Sequence, residues 1–197
     1  MGLRNTSSRS TIVSIIGGKF TVRLADDSDD PNAVERELEK GPNKGKVVKE
    51  LKYTALDGLI TGARIHSGDY GDDLLLDMTD EGDEFTLQVP VESMYFGQIA
   101  KRMPNIDASL PILFGMGYDK ERQTPFLFIK QNGESVHMKF TKAEPHDMPQ
   151  PTKRKVQGKD KWDFTEQDNF LYEIACSWIY ELNDTLAGVP DFVSDED

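Results

Sequence analysis

The 197-residue chain has one cysteine, three histidines and no apolar run near the roughly 18 residues a membrane span needs. With Cys176 alone, neither an internal disulfide framework nor a cysteine-based zinc cluster is possible, which fits a reducing cytosol. Met1–Asn5 carry no apolar signal core, so a cytoplasmic protein is the expectation. No glycine-rich phosphate loop precedes a helix, and no nucleophile-elbow pattern is present. The acidic stretch from Asp69 to Glu84 lacks the spacing of a calcium loop. His66 and His137 fall on strands and His146 on a loop. Catalytic residues, metal ligands and a cofactor are therefore not expected, and a binding or structural protein is favoured over an enzyme.

Positive charge is missing from one end. Residues 162–197 hold 0 Lys+Arg and 10 Asp+Glu, whereas residues 1–40 and 41–161 are each net −1. The formal −12 therefore describes an acidic extension on a near-neutral body, and does not argue against a polyanionic ligand.

What is present reads mainly as strand. After a polar flexible N-terminus over 1–10, Thr11–Leu24 is rich in β-branched and aromatic residues and is broken by Gly17-Gly18. Asp26–Gly45 reads as an exposed loop, with one helical turn over Val34–Lys40. Val47–His66 reads as a long strand bent at Gly58 or Gly62. Leu74–Asp80 and Glu84–Val89 follow around a Glu81-Gly82-Asp83 turn. The spacing of Met94, Tyr95, Gln98, Ile99 and Arg102 predicts a helix over Glu92–Met103, stopped by Pro104. Leu110–Tyr118, Thr124–Gln131 and Glu134–Phe140 are further strands, the last two joined by Asn132-Gly133.

Three antiparallel strands, one helix and two further strands is the order of the OB-fold. The expected fold is thus mainly β: an OB-like five-stranded antiparallel barrel over 11–140 with one inter-strand helix. A Pro-rich basic linker (141–161) leads to a long C-terminal helix (162–187). Its apolar stripe is Phe170, Leu171, Ile174, Trp178 and Leu182, Thr165 is its expected N-cap, and Cys176 lies beside the stripe. An acidic tail over 188–197 ends the sequence.

The candidate site chemistry is that of single-strand binding, in which cations hold phosphates and aromatic rings stack on bases. On Thr124–Gln131, alternation sends Leu127 and Ile129 to one face and Phe126, Phe128 and Lys130 to the other. Lys52, Tyr53 and Arg64 on the first barrel strand, Tyr70 in the loop after it, Phe114 and Tyr118 on the fourth strand, and Lys139 complete the candidate DNA-binding set. Lys101 and Arg102 are further phosphate candidates, and Lys153-Arg154-Lys155 is a basic cluster in the linker.

Five stretches carry a family resemblance: Gly17-Gly18-Lys19-Phe20; Ser67-Gly68-Asp69-Tyr70-Gly71; Met103-Pro104-Asn105-Ile106-Asp107; Phe140-Thr141-Lys142 with Pro145 and Met148-Pro149; and Lys161-Trp162-Asp163. With the barrel order, the linker and the tail, they resemble the single-stranded-DNA-binding proteins of tailed phages. The resemblance implies a non-catalytic protein that coats and protects single strands during phage replication or recombination in the cytoplasm of a bacterial host. It also implies replication or recombination partners engaged through the acidic tail, and allows a homo-oligomer. In the better-known tails an aromatic residue closes the chain, whereas here Phe192 is followed by Val193–Asp197. The competing class is a structural or interaction protein, such as a virion component or an acidic DNA mimic.

Overall fold

The computed structural model describes residues 11–39, 41–156 and 158–187. The tail expected over 188–197 and the N-terminus over 1–10 lie outside the described residues. Strands β1 (Thr11–Ile16), β2 (Lys19–Arg23), β3 (Val34–Glu37), β4 (Val47–Tyr53), β5 (Ala55–Gly68), β6 (Gly71–Asp80) and β7 (Asp83–Pro90) come first. Helix α1 (Met94–Ala100) and a 3-10 turn (Met103–Asn105) follow. After them come β8 (Ile112–Asp119), β9 (Thr124–Gln131), β10 (Glu134–Ser135), β11 (Thr152–Val156), β12 (Lys159–Asp163) and helix α2 (Thr165–Ala187).

Ten strands form one mixed sheet in the order β10-β9-β8-β5-β6-β7-β1-β2-β4-β3. Every neighbouring pair is antiparallel except β1 with β7, which run parallel from Thr11 opposite Phe85 to Ser14 opposite Gln88. The protein is therefore mainly β with a long C-terminal helix, but its ten-stranded mixed sheet is open and does not bear out the expected OB-like five-stranded antiparallel barrel. The reason is a long-range pairing. The outer edge of β7, which a closed five-strand barrel would need, is taken by β1.

Strand β5 bends the sheet. Ala55–Gly58 pair with β8, and Leu59–Gly68 pair with β6 on the other edge. The register shifts between Ile60 and Gly62, a bulge of the kind that adds twist and lets a strand curve. The expected long strand is thus two, β4 and β5, which meet at Thr54. The curl brings the Gly17-Gly18 turn of the β1–β2 hairpin down onto β9. A Cβ on Gly18 would sit 2.7 Å from the Cβ of Pro125, and its φ of +72° is one that side chains rarely adopt, so both demands select glycine.

Inside the curl the core is continuous. Val13, Phe20, Ile60, Leu74, Leu76, Leu87, Ile112, Phe114, Leu127 and Ile129 line its strands, and Phe96, Ile99 and Ala100 of α1 pack against them. Helix α1 starts later than expected because Ser93 caps it, its side chain accepting from the Phe96 N–H at 3.3 Å. Helix α2 adds Leu171, Ala175, Trp178 and Leu182 to the core, while Phe170 and Ile174 pack at its margin. Cys176 is exposed rather than packed beside this stripe. The N-terminus of α2 is held by Asp163, whose carboxylate accepts from both the N–H and the hydroxyl of Thr165, so the cap is not Thr165 itself. Those hydrogen bonds, and Arg154 nearby, hold the Asp163 carboxyl below the usual carboxylate range.

Three local expectations are corrected. Val34–Glu37 is strand β3, paired to β4, rather than a helical turn in a loop. Glu134–Phe140 is strand only over Glu134–Ser135, because Arg102 Nε reaches the Val136 carbonyl at 3.0 Å and the Lys139 N–H donates to the Lys101 carbonyl. Thr152–Val156 and Lys159–Asp163 span most of the second half of the expected linker and the first two residues of the expected helix. They form an antiparallel ribbon separate from the main sheet, and α2 begins only at Thr165. Among the described residues, no helix is long and apolar enough to cross a membrane.

The free edge of β5, beyond the end of β8, is covered by a side chain. Asn183 of α2 donates through Nδ2 to the Ala63 carbonyl at 2.9 Å and accepts the Ala63 N–H through Oδ1 at 3.4 Å. Its amide thus does what a neighbouring strand would do. Asn183→Ala is expected to cost about 1 kcal/mol in urea unfolding. In the same variant the Ala63 amide should exchange hydrogen faster, and unchanged protection there would show that the edge does not depend on Asn183.

Candidate nucleic-acid interface

The outer face of the β8–β9 hairpin follows from alternation. Leu127 and Ile129 are fully buried in the core, so Phe126, Phe128 and Lys130 must face outward. Phe126 is 39% exposed, Phe128 is half-buried and Lys130 is exposed. The ladder sets Phe128 opposite Gly115 and Phe126 opposite Gly117, and β5 sets Ala55 beside Gly115. A Cβ on Gly115 would lie 2.2 Å from Phe128 Cζ, and one on Gly117 would lie 2.4 Å from Phe126 Cζ. Each ring therefore rests on bare backbone, in the volume a side chain would otherwise fill. The rings are tilted by 50° with centroids 6.3 Å apart, and Lys130 Nζ stands 5.8 Å from the Phe128 centroid. The result is a strip of two neighbouring, mutually tilted rings with a cation at one end.

The remaining candidates are dispersed. Phe114 is fully buried, so its place in the binding set is corrected: β8 alternates, and Phe114 faces the core where Gly115 faces out. Tyr118 shares the side of Phe114 but lies beyond the core and is 60% exposed. Tyr53 is partly exposed beside a cleft of about 440 Å³ that it shares with Thr11, Val22 and Phe85. Tyr70, at the β5–β6 turn, is 93% exposed.

Most candidate cations already have partners. Arg64 is ion-paired with Asp77, whose other oxygen accepts the Thr86 hydroxyl at 2.7 Å. Lys52 lies 3.8 Å from Glu50, a fully buried carboxylate that also takes Arg36 in a bidentate pair at 2.6–3.1 Å. Burial pushes the Lys101 ammonium and the Arg102 guanidinium below their ordinary pKa values, and Asp168 partly offsets this for Lys101. Arg102 is spent on the Val136 and Gln98 carbonyls, which makes it a structural strut. Among the described residues, Lys130 and Lys139 are exposed and make no ion pair. A cleft of about 410 Å³ borders the strip, with Lys130 and Leu113 on one side and Asp57, Asp80 and Glu81 on the other.

The site thus consists of Phe126, Phe128 and Lys130 from the expected set, plus Gly115 and Gly117. The glycines were legible as an alternating pair in Phe114-Gly115-Met116-Gly117-Tyr118, facing opposite to the apolar residues between them. Only the cross-strand register shows what lies over them. Among the described residues no cluster of His, Cys, Asp and Glu is arranged to hold a metal ion. Comparison with protein families, curated proteins and solved structures finds no match to this chain.

The glycine floor can be tested directly. Gly115→Ala forces the Phe128 ring off the sheet and is expected to destabilise the protein by about 1–3 kcal/mol, as overpacking does. The Phe128 ring resonances should shift with it. Gly62→Ala serves as control, since its Cβ would make an ordinary 3.5 Å contact with Asp77. Equal stability of both variants would mean that the ring does not depend on the glycine.

Proposed function

We propose that this protein binds single-stranded DNA with little sequence preference, through the outer face of β8–β9. The observation that carries the reading is the Phe126–Phe128–Lys130 strip on its glycine floor. Two neighbouring rings left open at a protein surface lose the benefit of burial, whereas a base stacked on each recovers it. Every base has a π-face, so such a platform is tolerant of sequence. Lys130 at its end supplies a phosphate contact, and Lys139 is an unpaired cation on the segment after β10.

The topology supports the same reading. Strands β9-β8-β5-β6-β7 run in the order of an OB-fold opened at one seam, with α1 between β7 and β8 in sequence. The seam is where β1 pairs in place of closure. The resemblance to tailed-phage single-strand-binding proteins adds a role: coating strands during replication or recombination in the cytoplasm of a bacterial host. The binding is non-catalytic, and the acidic end after Lys161 is the surface for protein partners. The acidic margin formed by Asp57, Asp80 and Glu81 favours a second reading, an acidic interaction or structural protein, in which the strip meets a protein instead.

Phe128→Ala is expected to weaken binding of a labelled oligonucleotide by about 1–3 kcal/mol while the protein stays folded. Unchanged affinity would remove the platform, and no binding by the wild type would favour the interaction protein. Deleting residues 191–197 should tighten binding, most of all at low salt, because a tethered polyanion competes with the strand at roughly millimolar effective concentration. Equal affinity with and without those residues at low salt would remove the self-competition.

A further inference from the structure

The β11–β12 ribbon has a composition unlike the rest of the chain. Thr152–Asp163 holds five Lys or Arg and two Asp, whereas residues 1–151 hold 18 Lys+Arg and 24 Asp+Glu and the acidic end follows directly. Its register sets Lys153 opposite Trp162 and Lys155 opposite Asp160, so Lys153, Lys155, Asp160 and Trp162 share one face, whereas Arg154, Lys159 and Lys161 belong to the other. Trp162 is 58% exposed, and Lys153 Nζ lies 5.0 Å from its ring centroid. Arg154 is paired with Asp163 at 3.3 Å on the other face. Among the described residues Lys155, Lys159 and Lys161 are exposed and make no ion pair.

The ribbon's base is fixed. Buried Gln167 donates through Nε2 to the Pro149 carbonyl at 3.0 Å, tying the entry of the ribbon to α2. Asp163 ties the exit to the first residue of the same helix. The ribbon pairs with no strand of the main sheet. It is thus a rigidly rooted two-stranded arm that presents an indole among lysines.

We propose that this arm is a second single-strand-binding element, with Trp162 stacking on a base and Lys153 and Lys155, on the same face, holding phosphates. The proposal rests on the single-strand reading above and adds to it a site separate in sequence from the β8–β9 platform. An exposed indole flanked by ammonium groups suits a ligand that alternates flat rings with anions, which describes a nucleic-acid strand better than an acidic peptide. The arm also supplies what the platform lacks. The platform offers few unpaired cations, so most of the salt dependence of binding would come from the ribbon.

The test uses the full chain and a single-stranded thymidine oligonucleotide. Trp178 is buried, so any emission change on binding belongs chiefly to Trp162. Quenching is expected in the wild type and in Phe128→Ala, and is expected to vanish in Trp162→Phe. Trp162→Ala should lower affinity roughly 5- to 150-fold, as loss of one stacked base does. Because Trp162 also pairs with Lys153 across the ribbon, a second variant leaves that pair intact. The change Lys155→Ala should reduce the slope of log affinity against log salt by about 0.7. Binding that depends on Phe128 but leaves Trp162 emission, the Trp162→Ala affinity and the salt slope unchanged would overturn the arm and spare the platform. Absence of oligonucleotide binding altogether would overturn both. Quenching by a peptide copying residues 188–197 but not by the oligonucleotide would also overturn the proposal, making the arm a dock for the chain's own acidic end.

Discussion

Everything in this molecule turns on β5 changing partners. A flat strand would keep one neighbour on each edge along its length. Here the first four residues bond to β8 and the rest to β6, with a bulge at the crossing. That exchange curls the sheet, makes an inside for Phe20, Leu74, Phe114 and Ile129, and leaves one stretch of edge bare. Helix α2 answers both consequences. Its apolar stripe closes over the inside, and Asn183 satisfies the bare edge at Ala63. The long helix is therefore part of the β-domain's hydrogen-bond accounting, not an appendage to it.

The same curl decides which residues face outward. With the inner face of β9 committed to Leu127 and Ile129, the outer face is left with two phenylalanines. Opposite them β8 offers glycines, so the rings lie down on the backbone instead of standing among other side chains. A glycine costs a strand packing and backbone entropy. Two at alternate positions, each beneath an aromatic ring, turn that cost into an aromatic surface. Designed sheets use aromatic residues in the same way, to cover glycine in a neighbouring strand.

Charge is arranged more locally than composition implies. Arg64, Lys52, Arg36 and Arg154 each meet a carboxylate within a few residues or one strand away. Among the described residues, cations without an ion pair lie both on the main sheet, as Lys19, Arg23, Lys49 and Lys130, and on the ribbon, as Lys153, Lys155, Lys159 and Lys161. Several of the body's charges are thus neutralised in pairs, the short ribbon is dense in positive charge, and the excess negative charge runs from Asp163 through α2 to the end of the sequence.

Alternation and turn chemistry made much of this legible in advance. The β1–β2 and β9–β10 turns follow from Gly17-Gly18 and Asn132-Gly133. The division of β9 into a Leu127–Ile129 face and a Phe126–Phe128–Lys130 face, like the apolar stripe of α2, follows from periods of two and 3.6 residues, though not which face of β9 is the outer one. Those periods are properties of the local backbone. What the sequence could not decide were facts set by residues far apart in the chain. Phe114 reads as well for an outer face as for an inner one until its ladder to Ile129 is known. Val34–Glu37 has no apolar alternation and becomes a strand because β4 offers it an edge and Glu50 offers Arg36 a partner. The open sheet depends on β1 reaching β7 across some seventy residues, and no local signal encodes that pairing. The sequence by itself determined which residues alternate and where the charge lies. Only the tertiary structure decided which strand edges meet, and therefore which cations are neutralised and which rings lie open.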